Sequence, residues 1–107
     1  IRDKAKGHGK QNQIEGHLKK GSNVLVIEDL VSTGKSSINA INAIKKNNAH
    51  VVGLMSIFTY EIADVTKFDA PHISLSNYST LIELANQKNM ITEKEKGILE
   101  NWKKSTL

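Results

Sequence analysis

The chain has no cysteine and a single proline in 107 residues. Without cysteine it has neither a disulfide framework nor a thiolate metal site. Only five residues are aromatic, two Phe, two Tyr and one Trp. That is too few to floor a single-strand nucleic-acid groove with stacking platforms. No apolar run approaches the roughly 18 residues that a membrane-spanning helix requires, and no signal-peptide pattern is read at the start. No membrane partner is therefore expected. Nothing is repeated or low in complexity. The first residue is Ile1 rather than Met, so the sequence is expected to be a portion of a longer one. At this length it holds one domain at most.

The net charge of +4 comes from 15 Lys/Arg and 11 Asp/Glu, and it is unevenly placed. Arg2, Lys4, Lys6, Lys10, Lys19 and Lys20 face only Asp3 and Glu15 in the first twenty positions, and beyond them the signs balance. A nucleic-acid binder more often spreads its basic residues over a face or a helix, so no nucleic-acid partner is expected. Residues 1–13 combine Arg2, Lys4, Lys6, His8 and Lys10 with Gly7 and Gly9 and almost no apolar side chain. Such a segment buries no face and is expected to be a solvated, mobile loop. It is either a basic tail or an electrostatic lid over an anion.

The most informative stretch runs from Val24 to Ser37. Val24-Leu25-Val26-Ile27 is apolar without alternation, as in a strand buried on both faces of a parallel sheet. Glu28 and Asp29 follow, then Leu30, Val31 and a loop of hydroxyls with one glycine, Ser32-Thr33-Gly34, before a helical pattern. In open α/β sheets ligands sit at the carboxyl ends of strands. A loop entering a helix there can present backbone N–H groups to a phosphate. The acids repel a phosphate and suit sugar hydroxyls or a divalent cation instead. The stretch therefore reads as a site for a phosphorylated sugar. Gly34-Lys35-Ser36 imitates the end of a P-loop, but the opening glycine of that motif would fall on Asp29, whose charge would oppose the phosphates.

Around this stretch the pattern predicts a short strand over Ile14–Leu18, a turn over 19–23 and the strand Val24–Ile27. A helix over Ser36–Asn47 follows, with Ile38, Ile41 and Ile44 on one face. A second buried strand spans Val51–Phe58, and a short helix fits within 59–68. Pro71 leads into a strand over His72–Leu75. A helix capped by Asn77 or Ser79 runs to Lys88, with Leu81, Leu84 and Ala85 inward. Thr92-Glu93-Lys94-Glu95 fits a capping box for a last helix striped by Ile98, Leu99 and Trp102, the tryptophan as a packing residue. His17, His50 and His72 show no metal-ligand spacing and read as structural. The fold class is α/β, a parallel sheet flanked by helices.

Glu28-Asp29-Leu30-Val31-Ser32-Thr33-Gly34 resembles the signature of the type I phosphoribosyltransferases, in the form carried by their orotate-using members. Arg2, Lys6, His8 and Gly9, with Ile14-Glu15-Gly16 after them, resemble that family's mobile catalytic loop and the strand beyond it. The resemblance implies the family's sheet, incomplete at the N-terminus. Residues 1–107 would be the C-terminal portion of one domain, with the catalytic loop over 1–13 and the substrate motif over 24–37. It implies transfer of a phosphoribosyl group from 5-phosphoribosyl diphosphate (PRPP) to orotate with release of pyrophosphate, in the cytoplasm, with Mg²⁺. The cation would be held mainly through PRPP near Glu28 and Asp29, with no ligand set made by the protein alone.

The same resemblance implies a homodimer whose loops reach into each other's sites. Arg2, Lys6 and His8 would meet the pyrophosphate, with Lys6 the principal catalytic charge. Glu28 and Asp29 would bind the ribose hydroxyls, and Asp29 would also steady charge developing on the ribose carbon. Ser32, Thr33, Gly34, Lys35 and Ser36 would form the 5′-phosphate cradle, Ser32 touching orotate as well, and Leu30 and Val31 would also meet the substrate. Apart from the resemblance, Phe58 and Tyr60 lie just past a predicted strand end, a position from which they would flank the base. Lys35 stands where the family usually has a second glycine, and Asp3 where some relatives carry a lysine. If position 35 requires positive φ, the lysine costs on the order of 1 kcal/mol. Two alternatives remain at this level: a PRPP-sensing regulator without turnover, and a basic-arm nucleic-acid binder with salt-sensitive affinity.

Overall fold

A computed structural model describes residues 14 and 16–106. Strand β1 (Asn23–Val31) leads into helix α1 (Lys35–Lys46), which returns the chain to β2 (His50–Thr59). A 3₁₀ turn (Val65–Phe68), β3 (His72–Asn77), α2 (Tyr78–Gln87) and α3 (Glu93–Thr106) follow. The strands form one parallel sheet in the order β1-β2-β3. This is the expected α/β architecture, with β1 longer than expected. The acids do not end it, because Leu30 and Val31 still pair with Phe58 and Thr59.

The strand expected over Ile14–Leu18 does not form among the described residues there. Gly16 sits at φ +96°, outside the extended region, and breaks the run.

Helix α1 turns Ile41, Ile44, Ala40 and Ala43 onto one face of the sheet. Beneath them lie Val26, Val31, Ala49, Leu54 and Phe68, the last with 0 % of its surface exposed. Asn47 stops the helix, its side-chain amide donating to the Ala43 carbonyl at 2.8 Å. Lys45 pairs with Asp69 at 2.9 Å on the surface, where such pairs contribute little.

The opposite face of the sheet is open. Leu25, Ile27, Ile57, Ile73 and Leu75 are all exposed. The expectation of a β1 buried on both faces is thus corrected: α1 covers one face, and no described element covers the other.

Beyond β3 the chain enters α2 with no intervening loop. Asn77 caps it, accepting from the Thr80 amide at 2.8 Å. The inward residues are Tyr78 and Ile82, while the expected Leu81 and Leu84 are exposed and Ala85 is half-buried. Tyr78, fixed by the strand it follows, sets the buried stripe, and Ile82 lies one turn on. The capping box at the start of α3 forms as expected: the Thr92 amide donates to Glu95 at 2.9 Å and the Glu95 amide to Thr92 Oγ1 at 3.1 Å. Helix α3 rests on α2 through Tyr78, whose hydroxyl donates to the Leu99 carbonyl at 2.9 Å. Ile98 and Trp102 nevertheless stay partly in solvent, so the stripe on α3 is not a core face.

Phe68 joins the 3₁₀ turn to the core under α1. Phe68→Ala is expected to lower unfolding stability by about 3–5 kcal/mol. The check is urea denaturation, with a reduced midpoint and an unchanged slope.

Candidate ligand site at the carboxyl end of the sheet

The site begins where β1 stops. Val31 is buried, and Ser32 and Thr33 emerge into solvent. Gly34 then turns the chain at φ +87°, ψ 0° and serves as the N-cap of α1. A Cβ on Gly34 would lie 2.9 Å from Phe68 Cε1 and 3.2 Å from Ala63 Cβ. Both the left-handed conformation and the close approach require glycine here. Lys35 is the first residue of α1 and is exposed. The turn therefore falls on Gly34, and the lysine bears no positive-φ strain. Thr33 Oγ1 lies 3.4 Å from the Lys35 amide, a weak local contact. The first amides of a helix have no acceptor within it, so the junction at 34–36 is suited to an anion.

The two acids face different ways. Glu28 is half-buried, and its Oε2 accepts from the buried Ser37 hydroxyl on α1 at 3.1 Å. Asp29, the next residue along the strand, belongs to the other face and is exposed. Glu28 is thus held in place from below, and Asp29 is open to a ligand. Among the described residues no group of three or more His, Cys, Asp or Glu is arranged to hold a metal ion. Arg2, Lys6 and His8 lie outside the described residues.

The next wall comes from the end of β2. The Tyr60 amide donates to the Val31 carbonyl at 3.0 Å, joining this wall to the base of the loop. Its ring lies 5.3 Å from Phe58, 5.9 Å from Tyr78 and 5.9 Å from Trp102. Trp102 does pack, as expected, but against this aromatic group at the sheet's carboxyl end.

Glu61 follows at φ +64°, a left-handed conformation without glycine. Its Oε1 accepts from the Ser79 amide at 2.8 Å and from Lys103 Nζ at 3.3 Å, and Lys103 also donates to Ser79 Oγ at 2.8 Å. Partial burial would raise the Glu61 pKa, but the Ser79 and Lys103 hydrogen bonds outweigh it and hold the carboxyl below its usual range. This clamp ties the loop after β2 to the start of α2 and to α3. Nothing in the sequence marked it, since Lys103 lies 42 positions from Glu61.

His72 is structural, as expected. Its Nε2 is 3.0 Å from Ser56 Oγ, its ring is 5.5 Å from Phe68, and burial depresses its pKa.

Solved structures share the fold. The chain superposes on Leishmania donovani UMP synthase with a TM-score of 0.70 and 24% identity, covering 85% of this chain and 21% of that one. On orotate phosphoribosyltransferase from Aeropyrum pernix the TM-score is 0.66 and the identity 25%, covering 77% and 48%. By sequence and fold the chain is similar to the type I phosphoribosyltransferases. Within that class its sequence relatives are orotate phosphoribosyltransferases. Those of Bacillus cytotoxicus and Bacillus cereus are 48% identical to it over 109 aligned positions, 98% of this chain and 52% of theirs. The chain spans about half the length of the curated relatives it matches. No protein-family model matches it.

The geometry of the turn makes two neighbouring substitutions destabilising for different reasons. Gly34→Ala is expected to destabilise by at least about 1–2 kcal/mol from backbone strain alone. Lys35→Gly, in a helical conformation, should also destabilise, by about 0.5–1 kcal/mol, rather than relieve strain. Urea midpoints of the two variants check both.

Proposed function

We propose that the protein, completed to the length of its relatives, transfers the 5-phosphoribosyl group from PRPP to orotate. The products are orotidine 5′-monophosphate and pyrophosphate, a step of UMP biosynthesis, which we place in the cytoplasm. The observation that carries this reading is the left-handed Gly34 turn, seated on Phe68 at the carboxyl end of a parallel strand, in a chain 48% identical to orotate phosphoribosyltransferases.

In this reading the backbone of 33–36 and the hydroxyls of Ser32, Thr33 and Ser36 hold the 5′-phosphate. Asp29 takes ribose hydroxyls, with Glu28 steadied behind it by Ser37. The bond from the ribose anomeric carbon to pyrophosphate breaks, and a bond to an orotate ring nitrogen forms. Positive charge on the ribose carbon is highest between the two events, and Asp29 is suited to steady it. Negative charge grows meanwhile on the departing pyrophosphate, where Arg2, Lys6 and His8 stabilise the transition state more than the ground state.

A Mg²⁺ ion would be held mainly through PRPP near Glu28 and Asp29, and of the two only Asp29 is exposed. When bound, the ion supplies charge neutralisation at the diphosphate. Phe58 and Tyr60 flank the base. We place the protein in a homodimer in which the loop of residues 1–13 serves the partner's site. The 107 residues alone are then inactive or feeble, since the rest of the relatives' length is needed. No described helix is long and apolar enough to cross a membrane.

The test fuses the chain to the part of the Bacillus cereus relative with which it does not align, and follows orotate absorbance. The expected result is a PRPP-dependent decline, slowed by about 10²-fold or more in Lys6→Ala. A folded fusion with no PRPP-dependent change, or an unchanged rate in Lys6→Ala, would reject the reading. PRPP binding without turnover would point to a sensing role instead.

A further inference from the structure

The loop after β2 carries an unusual backbone. Among the described residues, Asn48, Glu61, Asp69 and Asn89 have positive φ without being glycine. Asn and Asp visit that region readily, because their short polar side chains bond locally. Glutamate has no such relief, so Glu61 at φ +64° is the outlier of the four. Strain of this kind persists only where the surroundings over-determine it, and it gathers at functional sites.

The surroundings of Glu61 have an order that the sequence does not show. Its carboxylate, Ser79 and Lys103 form one polar group. Each of the three immediately follows one ring of the aromatic group, Tyr60, Tyr78 and Trp102. Those rings lie 5.9 Å (Tyr60 to Tyr78), 5.9 Å (Tyr60 to Trp102) and 5.5 Å (Tyr78 to Trp102) apart. Polar and aromatic contacts thus join the same three elements: the end of β2, the start of α2 and the body of α3.

The backbone around Tyr60 is pinned on both sides. Its own amide donates to the Val31 carbonyl, and the Glu61 amide donates to the buried Thr59 Oγ1 at 3.1 Å. Apolar ring contacts are non-directional, whereas charge-assisted hydrogen bonds fix a geometry. The Lys103 and Glu61 side chains are 24% and 31% exposed, and an ion pair reached by water adds little to stability. Folding alone therefore gives little return for the strained glutamate, while positioning accounts for it.

We propose that Glu61 is a positioning residue for the base. With Ser79 and Lys103 it locks Tyr60 against Tyr78 and Trp102, and so sets the grip of the site on a flat heterocycle that Glu61 itself does not touch. The inference rests on the reading in which Tyr60 flanks orotate. It concerns the base end only, since the phosphate junction at 34–36 has its own anchor in Phe68.

The experiment places Glu61→Gly and Glu61→Gln in the fusion described above. Glycine removes the clamp yet accepts the left-handed backbone, so the fold is kept. Glutamine keeps an oxygen for the Ser79 amide and Lys103. For Glu61→Gly the expected orotate KM rises at least about tenfold, the PRPP KM stays within about twofold, and most of the loss in kcat/KM lies in the orotate KM. Glu61→Gln should recover most of that loss. In the 107-residue chain Glu61→Gly should weaken the ring-proton Overhauser effects between Tyr60 and Trp102 and leave those between Phe68 and His72 unchanged. An unchanged orotate KM, or orotate and PRPP KM values that rise together, overturns the proposal and leaves the enzymatic reading standing. A wild-type fusion that binds orotate without turnover counts against the enzymatic reading alone. The same criterion of about tenfold then applies to the orotate Kd, measured by equilibrium dialysis. A fusion that binds no orotate overturns both.

Discussion

The contact between Gly34 and Phe68 holds the site to the fold. The ring has no exposed surface, and the glycine lies so close to it that a single added carbon would collide. Because the loop cannot lift away without opening the core under α1, its backbone is fixed before any ligand arrives. Such preorganisation is what an anion cradle needs, since donors already aimed need not be ordered at the moment of binding. Lys35, one residue on, escapes the constraint because the helix has already begun.

A second set of ties comes from elements far along the chain. Tyr60 joins the end of β2 to Val31, and Glu61 is gripped by Ser79 and Lys103. Helix α3 contributes nothing buried to the core, yet through Lys103 and Trp102 it steadies the wall beside the loop. Its packing thus serves the position of the site more than the stability of the sheet. On the opposite face no described element plays such a part, and β1 presents its apolar side chains to solvent.

Much of this was legible in the residues. The run from Val24 to Gly34 announced a parallel strand, two acids and a glycine turn into a helix, because each piece has a local cause. The same holds for α1, with its isoleucines at helical spacing, and for the capping box at Thr92. Local signals failed where a neighbour decided the outcome. Gly16 broke a segment that otherwise reads as a strand. Tyr78, placed by β3, rotated the buried stripe of α2 away from Leu81 and Leu84. The Glu61–Lys103 clamp joins residues with no pattern between them. An apolar run such as Val24–Ile27 reads the same whether its second face is covered by its own chain or by another, so the open face was invisible too.

The central claim is that residues 33–36 form a preset anion cradle. It is tested most directly by titrating ribose 5-phosphate into the isotopically labelled chain and following backbone amide resonances. The account predicts saturable shifts at Thr33, Gly34, Lys35 and Ser36, with the exposed lysines of α3 undisturbed. Shifts confined to scattered surface lysines, or none at the loop at saturating ligand, would contradict it.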